Sequence, residues 1–378
     1  MPRTGHTARP RRALAALCAT VLLLAGTAAC SAAERLTTAL RVKAAVERLG
    51  EHREVSVTAR LDATQAQAHA YLRHRAGPGA DDERLRRQAR LLTDLEVAAA
   101  VRSGKPLRDL APSDRLDSAT AVSFGGQDVF GVRSVDRRLY VHVSLAALVR
   151  DVGPRGPVLR HAPELEQLTE DLPSSLRAAQ AALRGYWVHV KPAEFGEFAE
   201  VLGGEAGEPA ERLARSTSVL TGASVQHRLA DAVGGTLREH AGFQDAGRRG
   251  GAEHVTVTLP ARQAATTLAA ALEPLRHHLG DPDLAALERA PDRAVRLDLG
   301  IRDGVLASLT VDLGQLDPRA PGALPLRLEF APGEVTAVAA PRGARSLAPQ
   351  DLLTALTYAT TREPELSSLL HTLRTLEL

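Results

Sequence analysis

Residues able to do chemistry are few in this chain, and their spacing argues against most of the reactions they could support. The two cysteines, Cys18 and Cys30, both fall near the start, so everything after Cys30 lacks a thiol nucleophile, a disulfide and a cysteine metal site. Lysine occurs only as Lys43, Lys105 and Lys191, none of them three residues after a serine, which removes the serine–lysine acyl enzymes. The sequence holds no H-E-x-x-H, no G-x-S-x-G and no glycine-rich phosphate loop. His277 and His278 are the most suggestive metal pair, but adjacent residues on a helix diverge by about 100°, and no third ligand is evident. His69 and His74, five apart on a helical stretch, do not share a face. His142 and His189 fall on the polar side of expected strands without a placed nucleophile or an orienting carboxylate. Asp281 and Asp283, after Gly280, read as helix-capping acids rather than an acid–base pair. The expectation is therefore no catalytic residue, no cofactor and no metal.

One cysteine has a context. Arg3, Arg9, Arg11 and Arg12 form a positive end, Ala13 to Ala29 is an uncharged apolar run, and Thr27, Ala28 and Ala29 stand directly before Cys30. That order is a signal peptide, and its ending resembles the bacterial lipobox, in which the cysteine sulfur receives a diacylglyceryl group and becomes the first mature residue. Thr27 stands where leucine is preferred. Cleavage at an A-x-A-like site, an uncleaved membrane span and a twin-arginine signal at Arg11-Arg12 are the other readings of the stretch. The lipidation reading is the one adopted: residues 1–29 are a leader and Cys30 carries the anchor, whose paired acyl chains hold the protein stably on the extracytoplasmic face of the cell membrane.

Composition then bounds the partners. Four of the 47 basic residues and none of the 45 acidic ones precede Cys30, leaving 43 against 45 and no basic footprint for nucleic acid or for tight headgroup electrostatics. Aromatic residues make up 3%, with Trp187 the one tryptophan, which counts against a sugar-stacking site. A cavity built from valine, leucine and alanine would instead suit acyl chains.

The elements that would frame such a cavity follow from periodicity. Residues from Ser31 to His52 pass into an amphipathic helix with Leu36, Leu40, Ala44 and Leu49 apolar. Glu54 to Leu61 alternates as a half-buried strand. Helices are expected from Thr64 to Arg75, stopped at Gly77-Pro78-Gly79, and from Asp81 to about Arg90. Strands then follow at Leu95 to Val101, Ala119 to Phe124, Val129 to Val135 and Arg138 to Val143, a meander turned at Gly125-Gly126 and Asp136-Arg137. After a short helix from Leu145, Gly153 to Pro157 is a linker. Pro163 to Leu183 reads as a helix, Tyr186 to Val190 as a strand, and the stretch to Ala241 as helices broken at Gly203-Gly204 and Gly234-Gly235. Glu253 to Leu259, Val295 to Ile301 and Val305 to Leu313 read as strands, the last two joined at Asp303-Gly304, with a helix from Ala261 to Leu279 between them. Leu326 to Phe330 and Val335 to Ala340 close the strands, and a helix spans Pro349 to about Thr357.

The segments IRDGVLASLTVDLGQL and LPLRLEFAPGEVTAVAAP resemble the closing strands of actinobacterial lipoproteins of the LppX and LprG type, ending at Ala339, Ala340 and Pro341. GQDVFGVRSVDRRLYVHV, with Leu139, Tyr140 and Val141, and RGYWVHV, with the lone tryptophan, resemble earlier strands of the same group. The resemblance implies a LolA-like fold, in which a curved antiparallel half-barrel is closed by helices over an apolar cavity, and some members carry lipids or lipoglycans.

The expected fold class is thus α+β, a curved antiparallel sheet covered by helices and enlarged by helical insertions. Residues 30–52 form the lipidated start and first helix, and 53–378 the binding domain, as one body or as two lobes with a boundary near 150–245. Candidate cavity residues are Val55, Val57, Val295, Leu297, Leu299, Leu309, Val311, Leu328 and Phe330, which would equally serve as plain core. The expected function is a lipid-anchored envelope protein binding a lipid, lipoglycan or other apolar molecule. The alternative is a cargo-free structural or protein-interaction lipoprotein; no particular protein partner is implied.

Overall fold

The computed structural model describes residues 35–362 apart from 112, 145, 148–149, 151–168, 192, 195–222, 276–288, 318 and 334–337. Cys18, Cys30, the leader, the linker at 153–157, His277, His278, Asp281 and Asp283 lie outside the described residues. Helix α1 covers 35–50 and leads into β1 (Glu54–Leu61). Helices α2 (Gln65–Ala76) and α3 (Asp82–Asp94) follow, then β2 (Leu95–Arg102), β3 (Asp117–Phe124), β4 (Gln127–Val135) and β5 (Arg138–Val143). Helix α4 (Arg177–Leu183) precedes β6 (Val188–Val190), and α5 (Ala223–His240) precedes β7 (Gly242–Arg249) and β8 (Ala252–Pro260). Helix α6 (Ala261–Leu272), β9 (Ala294–Arg302), β10 (Val305–Asp312), β11 (Pro325–Pro332), β12 (Arg345–Ser346) and α7 (Pro349–Arg362) complete the described chain.

Local chemistry accounts for most boundaries. Thr64 caps α2 in a reciprocal capping box with Gln67, and Gly77, at φ 76°, ends it. The Asp81 carboxylate accepts the Glu83 and Arg84 N–H groups at the start of α3. Four hairpins turn on residue pairs with positive φ: Gly125-Gly126, Asp136-Arg137 at 54° and 60°, Gly250-Gly251 at 56° and 78°, and Asp303-Gly304 at 51° and 74°. These are the left-handed turns whose twist matches the flanking strands.

The twelve strands of the described residues form one hydrogen-bonded sheet, ordered β12-β6-β5-β4-β3-β2-β1-β11-β10-β9-β8-β7. Two meanders, β2 to β6 and β7 to β11, are joined through β1, which pairs antiparallel with both β2 and β11. Among the described strands, only β12 runs parallel to its neighbour, β6. The sheet is unclosed, with β7 and β12 at its edges. The fold is α+β, as expected, and the two strand-rich thirds share a single sheet.

One face of this sheet is apolar along its length, and helices cover both ends of it. Near β4 to β6, α4 and α7 bury Val132, Leu139, Val188 and Val190 together with Leu176, Ala179 and Ala355. Near β8 to β10, Val42, Ala45 and Leu49 of α1 pack on Val255, Val257, Leu299, Ile301 and Leu306. The opposite face is also covered over β2 to β5, where Ala100, Ala119, Val135 and Tyr140 lie under the fully buried Val338 and beside Trp187.

Several elements depart from the sequence expectation for identifiable reasons. The inward stripe of α1 is Thr38, Val42, Ala45 and Leu49, rotated from the expected one, so Leu36 and Leu40 are left exposed. Helix α5 runs unbroken through Gly234-Gly235: buried Ala232 and Thr236 hold it on its neighbours, outweighing a propensity cost of about 1 kcal/mol per glycine. The expected helix ending at Leu183 is interrupted at Pro173, which lacks an N–H for the helical ladder. Strand β7 is almost wholly exposed, so no alternation marks it; its backbone pairing with β8 makes it a strand. Of the strand expected from Val335 to Ala340, residues 334–337 lie outside the described residues and Val338 to Ala340 are not in a strand. The two-residue β12 has no periodicity at all.

Candidate functional site

The register places all nine candidate cavity residues on the apolar face. Leu309 lies between Leu299 and Leu328, Val311 opposite Leu297, and Phe330 opposite Val57. Val295 and Leu299 are buried, and the other seven are half-buried. Val55 and Phe330 pack against the apolar cluster beneath α1.

Over β7 to β10 the two covering helices do not close. Between α1 and α5 is a cleft of about 400 Å³, inside the 300–1,000 Å³ range of small-molecule pockets. Its floor is Phe243, Val257, Leu297, Leu299 and Leu309; Leu40, Val42 and Val46 of α1 form one wall, and Gly234 and Leu237 of α5 the other. Lys43, Glu47 and Arg238 supply the polar rim, with Lys43 and Glu47 paired at 3.6 Å on the outer side of α1. Leu297, Leu299 and Leu309 thus meet in the cleft, whereas Val55, Val57, Val295, Val311, Leu328 and Phe330 extend the same apolar face beyond it.

Polar contacts fix the first wall. Arg41 of α1 donates to Asp245 on β7 at 2.5 Å and lies 3.6 Å from Glu253 on β8, and Arg48 donates to the Gly304 carbonyl in the β9–β10 turn. The Arg41 hydrogen bond, with help from the Gly247 N–H, holds the Asp245 carboxyl below its usual range. Helix α5 is tied to α6 through His240 and Thr267, 2.7 Å apart. Tethered at these points, α1 lies across four strands while its other side stays free: Leu36 is 63% exposed, Leu40 56% and Val46 49%, and Val233 on α5 is 46% exposed.

Among the described residues, groups that could do bond chemistry are not assembled in this cleft. His69 pairs with Asp82 and His74 with Asp317, each a separate surface contact. On the sheet's other face His254 lies 2.8 Å from Asp298, which also meets Arg249 at 3.0 Å. Ser308 stands across Gly300 from His254, and the two form no hydrogen bond with each other. His142 packs edge-on against Trp187 with ring centres 5.4 Å apart. Among the described residues, no three His, Cys, Asp or Glu side chains come together to hold a metal ion, and no helix is long and apolar enough to cross a membrane.

Sequence reasoning found Leu297, Leu299 and Leu309 of the floor through strand alternation but missed Phe243 and both walls. Gly234 read as a helix break, Phe243 lies on a strand without a pattern, and Leu40 was assigned to the buried side of α1. The available signal was that α1 carries apolar residues on two sides, more than one packing face needs.

No protein-family model matches the sequence, and no curated protein does. Among solved structures, the chain is similar to the Mycobacterium tuberculosis lipoprotein LppX at 11% identity and a TM-score of 0.32, over 79% of this chain and 97% of that one. It is similar to LprF from Mycobacterium bovis at 11% identity and a TM-score of 0.33, over 80% of this chain and 96% of that one.

Proposed function

We propose that this protein binds the acyl chains of a lipid in the cleft between α1 and α5, and that a lipid on Cys30 tethers it to the extracytoplasmic face of the cell membrane. The observation that carries the reading is the cleft itself, apolar from floor to walls, with Leu40 and Val46 exposed where the two helices part. Large apolar side chains gathered at an open cleft mark a ligand or membrane contact. Each methylene moved from water to such a lining contributes about 0.8 kcal/mol. The charged rim at Lys43, Glu47 and Arg238 would keep a polar headgroup outside while the chain enters. In this reading residues 1–29 are the leader, 30–52 the tether and first wall, and 53–378 the binding unit, with the apolar face beyond the cleft continuing the contact.

Native mass spectrometry of the protein extracted from its own membrane tests this. The expected spectrum shows the mass of a diacylglyceryl group on Cys30, which resists solvent extraction, and a stoichiometric apolar adduct that solvent removes. A chain free of adducts, prepared beside a lipid carrier that retains its load, would overturn the acyl-binding reading. An unmodified Cys30 would overturn the tether separately.

A further inference from the structure

A second cavity lies at the other end of the sheet, and its chemistry is opposite. It has a volume of about 480 Å³ and is lined by Arg177, Gln180, Ala181 and Arg184 of α4 and its end, by Tyr186 and Trp187, and by Arg342, Gly343 and Arg345 before and within β12. The α4 residues stand at i, i+3, i+4 and i+7, one face of a helix, so Arg177 and Arg184 point the same way. The opposite wall is an Arg-Gly-x-Arg turn, which β12 holds against β6 through the Arg345 to Val188 pairing. Between them, Gly185 at φ 73° turns the chain where a Cβ would meet Ser144 at 3.3 Å, and the Tyr186 N–H returns to the Ala181 carbonyl. The aromatic pair is thereby set between the two arginine walls.

We infer that this pocket binds a phosphorylated anion. Four arginines line it, and no carboxylate of a described residue does. Arg184 alone is partly satisfied, donating to Thr169 at 3.2 Å and standing 3.8 Å from Glu170. No carboxylate of a described residue pairs with Arg177, Arg342 or Arg345. Elsewhere on this surface arginines are commonly met by acids, as Arg108 is by Glu51 and Arg87 by Glu83. Like charges gathered with little counter-charge repel one another, and a bound anion relieves that repulsion. Arginine's planar fork fits phosphate oxygens two at a time. Tyr186, 63% exposed, offers a ring and a hydroxyl to the organic part of the ligand, and the volume exceeds what phosphate alone would fill. Seven strand steps separate β6 from β10, about 34 Å along the sheet at ~4.8 Å per step, so this site is separate from the acyl cleft and does not depend on it.

The phosphate could belong to a soluble ester or to a lipid headgroup, and calorimetry on the full chain in neutral detergent distinguishes them. The probes are inorganic pyrophosphate and dihexanoyl phosphatidylglycerol, titrated into the wild type and into the R342Q/R345Q variant. Both substituted side chains are exposed and unpaired, so the fold is kept; R177Q on the opposite wall gives an independent variant. Binding of pyrophosphate that weakens at least about tenfold in the variants, and weakens with added salt, supports a site for soluble phosphorylated ligands. Binding of phosphatidylglycerol alone, with the same loss, supports a headgroup site. If neither probe binds, or both bind the variants as they bind the wild type, the inference is overturned.

Discussion

Gly234 allows the cleft and the helix that bounds it to be tested separately. It lies in the interior of α5 and on the cleft wall, and a Cβ built there would find no atom within 4 Å. Gly234→Ala therefore adds helix propensity without a clash, worth about 1 kcal/mol, and should raise Tm by about 2 °C. Gly234→Phe keeps part of that backbone gain but projects a ring into the space an acyl chain would use. If the ring displaces about four methylenes at ~0.8 kcal/mol each, binding loses about 3 kcal/mol, more than a hundredfold in Kd. Thermal unfolding measures the first effect, and cis-parinaric acid fluorescence, titrated into the full chain in detergent, measures the second. Alanine should bind the probe like the wild type, and phenylalanine should bind it far more weakly at equal or higher Tm. Equal probe affinity in all three proteins would refute the assignment of the cleft as the acyl site.

Other expectations concern the frame around it. Leu299→Ala removes a buried floor residue and should cost about 2–5 kcal/mol in urea unfolding; a cost below about 1 kcal/mol would mean that the side chain is not packed as described. Gly131→Ala places a Cβ 2.7 Å from Cη2 of Trp187, so overpacking should cost about 1–3 kcal/mol and shift the emission of the one tryptophan, whereas an unchanged spectrum would contradict the contact. Arg137→Gly relieves a side chain held at φ 60° and should stabilise the β4–β5 hairpin by about 1 kcal/mol, read as a rise in Tm. Burial lowers the His142 pKa below 6.5, with Arg133 adding to the shift and Asp128 opposing it. The unfolded chain then takes up the proton first, so stability is complete well above that value and falls as the pH drops through it. His142→Gln should lose less stability between pH 8 and pH 5 than the wild type does, and identical losses would count against the assignment.

How much of this was readable without coordinates depended on where the physics is local. Strands with one wet and one dry face, such as Val295 to Ile301, announce themselves by period, and so do turns such as Asp303-Gly304, where backbone sterics choose the residues. Joining both strand groups through β1 is a long-range pairing that no local signal encodes. The same limit hid β7, an edge strand defined only by hydrogen bonds to β8, and the continuity of α5, where packing overrides two glycines. The rotation of α1 was ambiguous because both of its apolar sides are used, one against the sheet and one toward the cleft. The arginine pocket draws on residues about 165 positions apart, which the pairing of β12 with β6 and the packing of α7 on α4 bring together.

The measurement that bears most directly on the central claim is photolabelling of the full chain with a palmitate analogue carrying a diazirine on its chain, followed by peptide mapping. Label confined to 39–47, 234–238 and the strands bearing Phe243, Val257, Leu297, Leu299 and Leu309, and competed away by unlabelled palmitate, is the predicted result. Label spread over the surface, or concentrated on residues outside that cleft and insensitive to competition, would contradict it.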